Sequence, residues 1–226
     1  MKKTTIITLA ILTVALICSA KEEVLTWSWN ADGSPYTVTS DGAQAFFNDK
    51  NGAVWKFQDL ASGQNDAAKW TTLIKSGTYF HSDAPTWDVW SAEVDSAVLL
   101  SAPSSGHSAA LLFIAPVAGK YTISGRLWIG PVTEDDQADT QLIVGKVEND
   151  KFTPLVTATG PRWSLGRELS SFPELNDISL KAGDAIAFVL PYQNAGQRMY
   201  LQDHSGSQTN NPEVENNPLT ITVTKP

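Results

Sequence analysis

Hydrophobic and polar residues alternate in short runs along most of the chain, and the runs are bounded by Gly, Pro, Asn and Asp. In residues 218–224, Leu219, Ile221 and Val223 fall on one face and Thr220, Thr222 and Thr224 on the other. In residues 119–129, Tyr121, Ile123, Leu127 and Ile129 share a face, opposite Thr122, Ser124, Arg126 and Trp128. A period of two is the signature of a half-buried strand. The same criteria predict strands over 24–29, 36–39, 53–58, 97–101, 109–114, 141–148, 152–158, 178–180 and 185–190. No stretch carries a sustained helical period. Many short strands without crossover helices predict an all-β fold, an antiparallel β-sandwich or jelly roll, as one domain over residues 21–226. Two segments, 62–90 and 192–217, read as long loops, which in a compact domain are often functional.

The first twenty residues stand outside this pattern. Lys2 and Lys3 precede an apolar run over 6–17, and small residues follow, ending at Ala20. The run is too short to span a bilayer, which takes about 20 residues. This is the layout of a secretory signal peptide cleaved after Ala20, giving a secreted or periplasmic protein. A lipid anchor on Cys18 would call for a small residue before it, where Ile17 stands. Cleavage removes the only Cys, so the mature domain has no disulfide and must rely on its core.

Composition narrows the function classes. With 42% hydrophobic and 18% charged residues the chain is not wholly disordered. A net charge of -8 argues against a nucleic-acid partner, whose phosphates need clustered Lys and Arg. It equally disfavours sulfated or uronate-rich glycans. After the leader no apolar stretch suggests a membrane span.

The order of motifs from residue 50 onward resembles a known group. Asn51-Gly52-Ala53-Val54-Trp55 is followed by Leu99-Leu100-Ser101-Ala102-Pro103 and by Ala115-Pro116-Val117-Ala118-Gly119-Lys120-Tyr121. Leu180-Lys181-Ala182-Gly183-Asp184 then precedes an apolar strand, a polar Asn-rich stretch and the final strand. Over about residues 50–224 this resembles secreted bacterial β-sandwich domains akin to carbohydrate-binding modules and to the extracellular domains of exosortase-sorted (PEP-CTERM) proteins. The resemblance implies a sandwich fold and a polysaccharide or glycan partner. The chain departs from the sorted proteins in having no terminal Pro-Glu-Pro motif, apolar span or basic tail before Pro226.

Candidate chemistry centres on aromatics. Trp is as abundant as Phe, and residues 70–90 carry Trp70, Tyr79, Phe80, His81, Asp83, Trp87, Asp88 and Trp90. Sugars present apolar C–H faces ringed by hydroxyls, so flat aromatics flanked by short polar groups suit them. Tyr79, His81, Trp87, Asp88 and Trp90 are therefore candidate ligand-binding residues, as is Trp128. Two placements fit Trp128: a stacking platform on the sheet surface, or a seat beneath the 62–90 segment. Trp27 and Trp55 read as core. Glu134, Asp135, Asp136 and Asp139 form an acidic cluster with the oxygen chemistry of a structural Ca²⁺ site, or of a solvated turn. No cofactor is required.

Catalytic motifs are weak. The three His residues lack zinc spacing, there is no Gly-x-Ser-x-Gly, and His204 beside Asp203 is the one suspect for a proton-transfer role. The sequence reads as a secreted, non-catalytic carbohydrate-binding protein. Its rivals are a glycosidase or lyase on a jelly-roll scaffold and a structural or adhesive envelope protein. The leader predicts a mature N-terminus at Lys21. Intact-mass measurement of exported protein checks this, and a retained Met1 or a lipid on Cys18 would refute it.

Overall fold

A computed structural model describes residues 24–28, 37–38, 46–48, 54–60, 65–72, 74–76, 79–81, 99–101, 108–131, 139–161, 167–191, 197–200 and 219–225. In chain order the strands are β1 (Val24–Ser28), β2 (Thr37–Val38), β3 (Phe46–Asn48), β4 (Val54–Asp59), β5 (Thr71–Thr72), β6 (Ile74–Ser76), β7 (Tyr79–His81), β8 (Leu99–Ser101) and β9 (Ala109–Ile114). They continue with β10 (Gly119–Ser124), β11 (Arg126–Pro131), β12 (Asp139–Glu148), β13 (Lys151–Pro161), β14 (Arg167–Glu168), β15 (Ile178–Leu180), β16 (Ala185–Leu190), β17 (Gln197–Tyr200) and β18 (Thr220–Thr224). The only helical elements among the described residues are single 3₁₀ turns at Ala67–Lys69, Leu169–Ser171 and Pro173–Leu175.

Among the described residues every strand pairing is antiparallel, and two sheets form a sandwich. One has the order β1-β18-β10-β15. The other runs β13-β12-β16-β9-β4-β3-β2, with β5 added on β4. The alternation explains the first sheet directly. Leu219, Ile221 and Val223 are fully buried, as are Tyr121 and Ile123, whereas Thr220, Thr222 and Thr224 are half-buried on the opposite side.

In the larger sheet, β9 and β16 read as unbroken apolar runs because both of their faces are covered. Leu111, Phe113, Ile186 and Phe188 point into the sandwich. Ala110, Leu112, Ala187 and Val189 belong to a second apolar cluster on the other face of the sheet.

Aromatic rings tie the two sheets together. Phe113 of β9 lies 5.2 Å from Trp27 of β1, 6.0 Å from Tyr121 of β10 and 4.9 Å from Trp55 of β4, centroid to centroid. The Trp27 and Tyr121 rings are stacked nearly parallel, 17° apart, with centroids at 6.3 Å. Such pairs contribute about 0.5–1.5 kcal/mol each beyond the area they bury. Trp27 Nε1 is buried without a hydrogen-bond partner, which costs about 1–3 kcal/mol and offsets part of that gain.

The chain changes sheets at two turns that lie against each other. Between β9 and β10, the Tyr121 hydroxyl donates to the Val117 carbonyl at 2.6 Å, fixing the Pro116–Gly119 turn from inside the core. A Cβ at Gly119 would sit 2.5 Å from Val223 Cγ2 and 2.9 Å from the Thr224 carbonyl oxygen, so β18 needs a glycine to pass there. Between β15 and β16, Gly183 adopts φ 92°, as the third residue of a type II turn requires, and the Asp184 amide donates to the Lys181 carbonyl. The Asp184 carboxylate accepts the Lys181 amide at 2.7 Å. Ala115 then joins the two turns: its amide donates to the Asp184 carbonyl at 2.8 Å and its carbonyl accepts from the Gly183 amide at 2.9 Å.

β3 and β14 have no counterpart in the sequence expectation, and three larger differences follow. Residues 119–129 are not one strand. Gly125, at φ 92°, breaks the run, and its carbonyl accepts the Leu169 amide at 2.8 Å. β10 therefore stays in the sandwich, while β11 joins a separate sheet of order β14-β11-β17-β8. The segment 62–90, expected as a loop, contains a 3₁₀ turn and β5, β6 and β7. The 192–217 segment likewise contains β17. Short strands closed by pairing at a distance leave little periodicity to read.

Two substitutions test the β9–β10 turn. Gly119→Ala should destabilise the fold by about 1–3 kcal/mol through overpacking against β18. Tyr121→Phe should cost about 1–2 kcal/mol by orphaning the Val117 carbonyl. Burial pushes the Tyr121 phenol above its ordinary 10.0. The folded-state value then exceeds the unfolded one, so this contribution is complete below about pH 10 and is lost as pH climbs through the folded value. Denaturant midpoints measured from neutral to alkaline pH should show that loss in the wild type and a smaller one in Tyr121→Phe.

Candidate ligand-binding region

Three of the aromatics have structural places. Trp27 and Trp55 are in the sandwich core, as their alternation predicts. Trp70, grouped in sequence with the binding candidates of residues 70–90, is also buried. It sits on the outer face of the large sheet, 5.5 Å from the Phe152 ring, within the cluster formed by Leu60, Ala110, Leu112, Ile143, Ala187 and Val189. Small side chains in β9 and β16 leave room for the indole. The sequence gives no sign of this, because those positions lie far from Trp70 along the chain.

Residues 65–72 carry Trp70 to that seat. At one end the Phe152 amide donates to the Asn65 carbonyl and the Ala67 amide to the Asp150 carbonyl, so the segment pairs with the start of β13. The 3₁₀ turn is closed by Lys69 and Trp70 amides donating back to Asp66 and Ala67. The exposed Lys69–Asp66 pair at 2.8 Å contributes little, although Asp66 raises the Lys69 pKa through its hydrogen bond and charge. At the other end Thr71 and Thr72 pair with Asp59 and Gln58, and Gln58 Nε2 donates to Thr72 Oγ1 at 2.8 Å. Beside this end, on β4, burial lowers the Lys56 pKa.

The opposite edge of the segment is set by a hairpin. Asn149 and Asp150 both take positive φ, 50° and 60°, the backbone of a two-residue type I′ turn. A bulge falls between Val144 and Gly145. A Cβ at Gly145 would lie 2.6 Å from the Phe152 ring and 2.5 Å from the Thr153 carbonyl oxygen. The glycine thus lets Phe152 lie flat on the sheet, where Trp70 meets it.

Of the remaining candidates, Trp128 lies in the small sheet β14-β11-β17-β8. Trp128 in β11 is the register partner of Tyr200 in β17, and Tyr200 is the partner of Leu99 in β8. Two aromatic positions therefore stand side by side on adjacent strands. Tyr200 was not among the sequence candidates, yet Arg198 and Tyr200 alternate with Gln197 and Met199, and that short pattern was the available signal. β8 begins nine residues after Trp90, the last of Trp87, Asp88 and Trp90. These three residues lie outside the described residues.

Tyr79 and His81 occupy the ends of β7, which pairs with β6 (Ser76 with Tyr79, Ile74 with His81) in a separate two-stranded ribbon. The pairing does not bring them into the sheet of Trp128. Glu134, Asp135 and Asp136 lie outside the described residues. Asp139 opens β12 opposite Pro161. Among the described residues, no three His, Cys, Asp or Glu side chains come together in a way that could hold a metal ion. No described helix is long and apolar enough to cross a membrane.

No protein-family model matches the chain, and no curated protein sequence matches it.

Trp70→Ala should behave as a core substitution, costing about 3–5 kcal/mol of stability. A melting temperature close to wild type would instead place the indole outside the packed cluster. Calorimetry on the purified protein decides between the two.

Proposed function

We propose that the protein is a secreted, non-catalytic carbohydrate-binding protein built on a jelly-roll scaffold. The observation that carries the ligand reading is the register pairing of Trp128 with Tyr200, in a sheet that also holds β8, which begins nine residues after Trp90. Adjacent aromatic positions on a sheet suit the apolar faces of consecutive sugar rings, and Asp88 adds a short hydroxyl-binding group. With Trp27, Trp55 and Trp70 committed to packing, stacking falls to the other indoles.

Strand order supports the jelly-roll reading. The first strand, β1, lies beside the last, β18. β1-β18-β10-β15 faces β9-β16-β12-β13, and the chain passes from one sheet to the other at β9–β10 and at β15–β16. β2, β3 and β4 extend the second sheet. Tyr79 and His81, on their own ribbon, stand as a second set of contacts. The acidic positions Glu134, Asp135, Asp136 and Asp139 follow β11 and would offer oxygens to a structural Ca²⁺. The negative net charge favours neutral glycans.

A glycan array paired with a reducing-sugar release assay, with and without EDTA, tests the reading. Binding to neutral oligosaccharides without release of new reducing ends is expected. Trp87→Ala, Trp90→Ala or Trp128→Ala should each weaken binding by about 1–3 kcal/mol, by analogy with base–aromatic stacking, with little change in melting temperature. Release of reducing ends would establish an enzyme instead. A drop in melting temperature on EDTA treatment, restored by Ca²⁺ but not Mg²⁺, supports the metal.

A further inference from the structure

Arginine is scarce in this chain and unevenly placed. Only four of its 16 basic residues are Arg, and three of the four, Arg126, Arg167 and Arg198, fall on the sheet β14-β11-β17-β8. Among the described residues of those strands there is no Lys, and Glu168 is the one acidic residue. Three positive charges against one negative give this sheet a net of +2, in a chain of net -8.

Alternation and register divide the sheet into two sets. One face holds Leu127, Ile129, Met199 and Leu100, with Arg167 beside Leu127. The other holds Trp128 and Tyr200 with Arg126 and Arg198. On that face Arg126 is the register partner of Glu168, so an opposite charge stands across from it. Arg198 has Gly130 on one side and Ser101 on the other, neither of them charged. Its position is two residues from Tyr200 along β17 and diagonal to Trp128 on β11. Positions so related are about 6.5–8 Å apart, within reach of a side chain as long as arginine.

An arginine next to an aromatic pair supplies chemistry that stacking on a neutral sugar does not use. The apolar C–H faces of a sugar need flat rings, and its hydroxyls need short polar groups. A guanidinium instead presents parallel N–H donors that match a carboxylate, in charge-assisted bonds about twice as strong as neutral ones. The field of an acidic protein still disfavours a polyanion. Physiological salt screens that field over about 8 Å, so one carboxylate brought to Arg198 meets the local charge rather than the net one.

We propose that Arg198 is a specificity-determining residue of the Trp128–Tyr200 region, and that the preferred glycan is an otherwise neutral chain bearing a single uronic acid. The acidic ring stacks on the aromatic row and Arg198 donates to its carboxylate. The inference rests on the carbohydrate-binding reading above and narrows its ligand class.

The test is titration calorimetry on the full mature protein. The probes are neutral gluco-, xylo- and manno-oligosaccharides, each beside the same chain bearing one glucuronic acid, and polygalacturonate. The singly acidic form of the chain that binds should do so at least about tenfold more tightly than its neutral match, and more tightly than polygalacturonate. Arg198→Gln should bring the ratio of acidic to neutral affinity to about one. Arg198→Lys, which keeps the charge and loses the planar fork, should retain only part of the ratio. Arg167→Gln, on the opposite face, is the control and should preserve it. Should Arg198→Gln melt early, Arg198→Lys decides, and a ratio equal to that of the wild type overturns the proposal. Equal wild-type affinities for neutral and acidic chains overturn this inference and leave the carbohydrate-binding reading standing. A preference that survives both Arg198 variants, or is lost equally in Arg167→Gln, overturns the assignment to Arg198. Tightest binding to polygalacturonate overturns the single-acid ligand. Wild-type protein that binds none of the probes overturns the carbohydrate-binding reading together with this one.

Discussion

Ala115 holds the sandwich together at the point where the chain twice changes sheets. Its amide and carbonyl are both spent on the Gly183–Asp184 turn, so the β9–β10 and β15–β16 crossings form one hydrogen-bonded unit. Tyr121 closes the same corner from within, with its ring among Trp27 and Phe113 and its hydroxyl on the Val117 carbonyl. A buried backbone group at a sheet corner has no ladder partner, and leaving one unpaired costs about 1–3 kcal/mol. Pairing the two turns with each other solves that for both. It also sets the separation of the sheets, because the strands that leave these turns, β10 and β16, are central members of opposite layers.

The centre of the larger sheet, β9 and β16, is buried on both sides. Residues 65–72 link the β12–β13 hairpin to β4 and seat Trp70 on the outer cluster. The small residues in β9 and β16 and the flat Phe152 over Gly145 are the counterpart of that indole. The outer face around Trp70 is thus closed by packing, while Thr157 and Thr159 of β13 in the same sheet stay exposed.

Alternation and turn chemistry made much of the architecture legible without coordinates. Leu219, Ile221 and Val223 announce β18, and Ala185–Leu190 and Ala109–Ile114 fall on their observed bounds. The Ala-Pro-Val-Ala-Gly-Lys-Tyr and Ala-Gly-Asp sequences mark turns because proline and glycine fix local backbone geometry whatever lies around them. The candidate region was less legible. Trp70 carried the same sequence signal as the other aromatics of residues 70–90, Tyr200 lay in a stretch read as loop, and Tyr79 and His81 sit on a ribbon of their own. Whether an aromatic packs or stacks on a ligand depends on what faces it from elsewhere in the chain.

Local pattern in the chain dictates the all-β class, the buried faces of β10 and β18 and the glycine-bearing turns before β10 and β16. These follow from forces acting over a few residues: the two-residue period of a strand, the conformational freedom of glycine and the fixed φ of proline. Only the tertiary structure decided that Gly125 sends β11 into a different sheet, that Ala115 joins two turns nearly seventy residues apart, and that Trp70 belongs to an outer core. Those outcomes depend on pairings between distant segments. Their hydrogen bonds and buried area exist only once both partners are in place, and no local pattern records them.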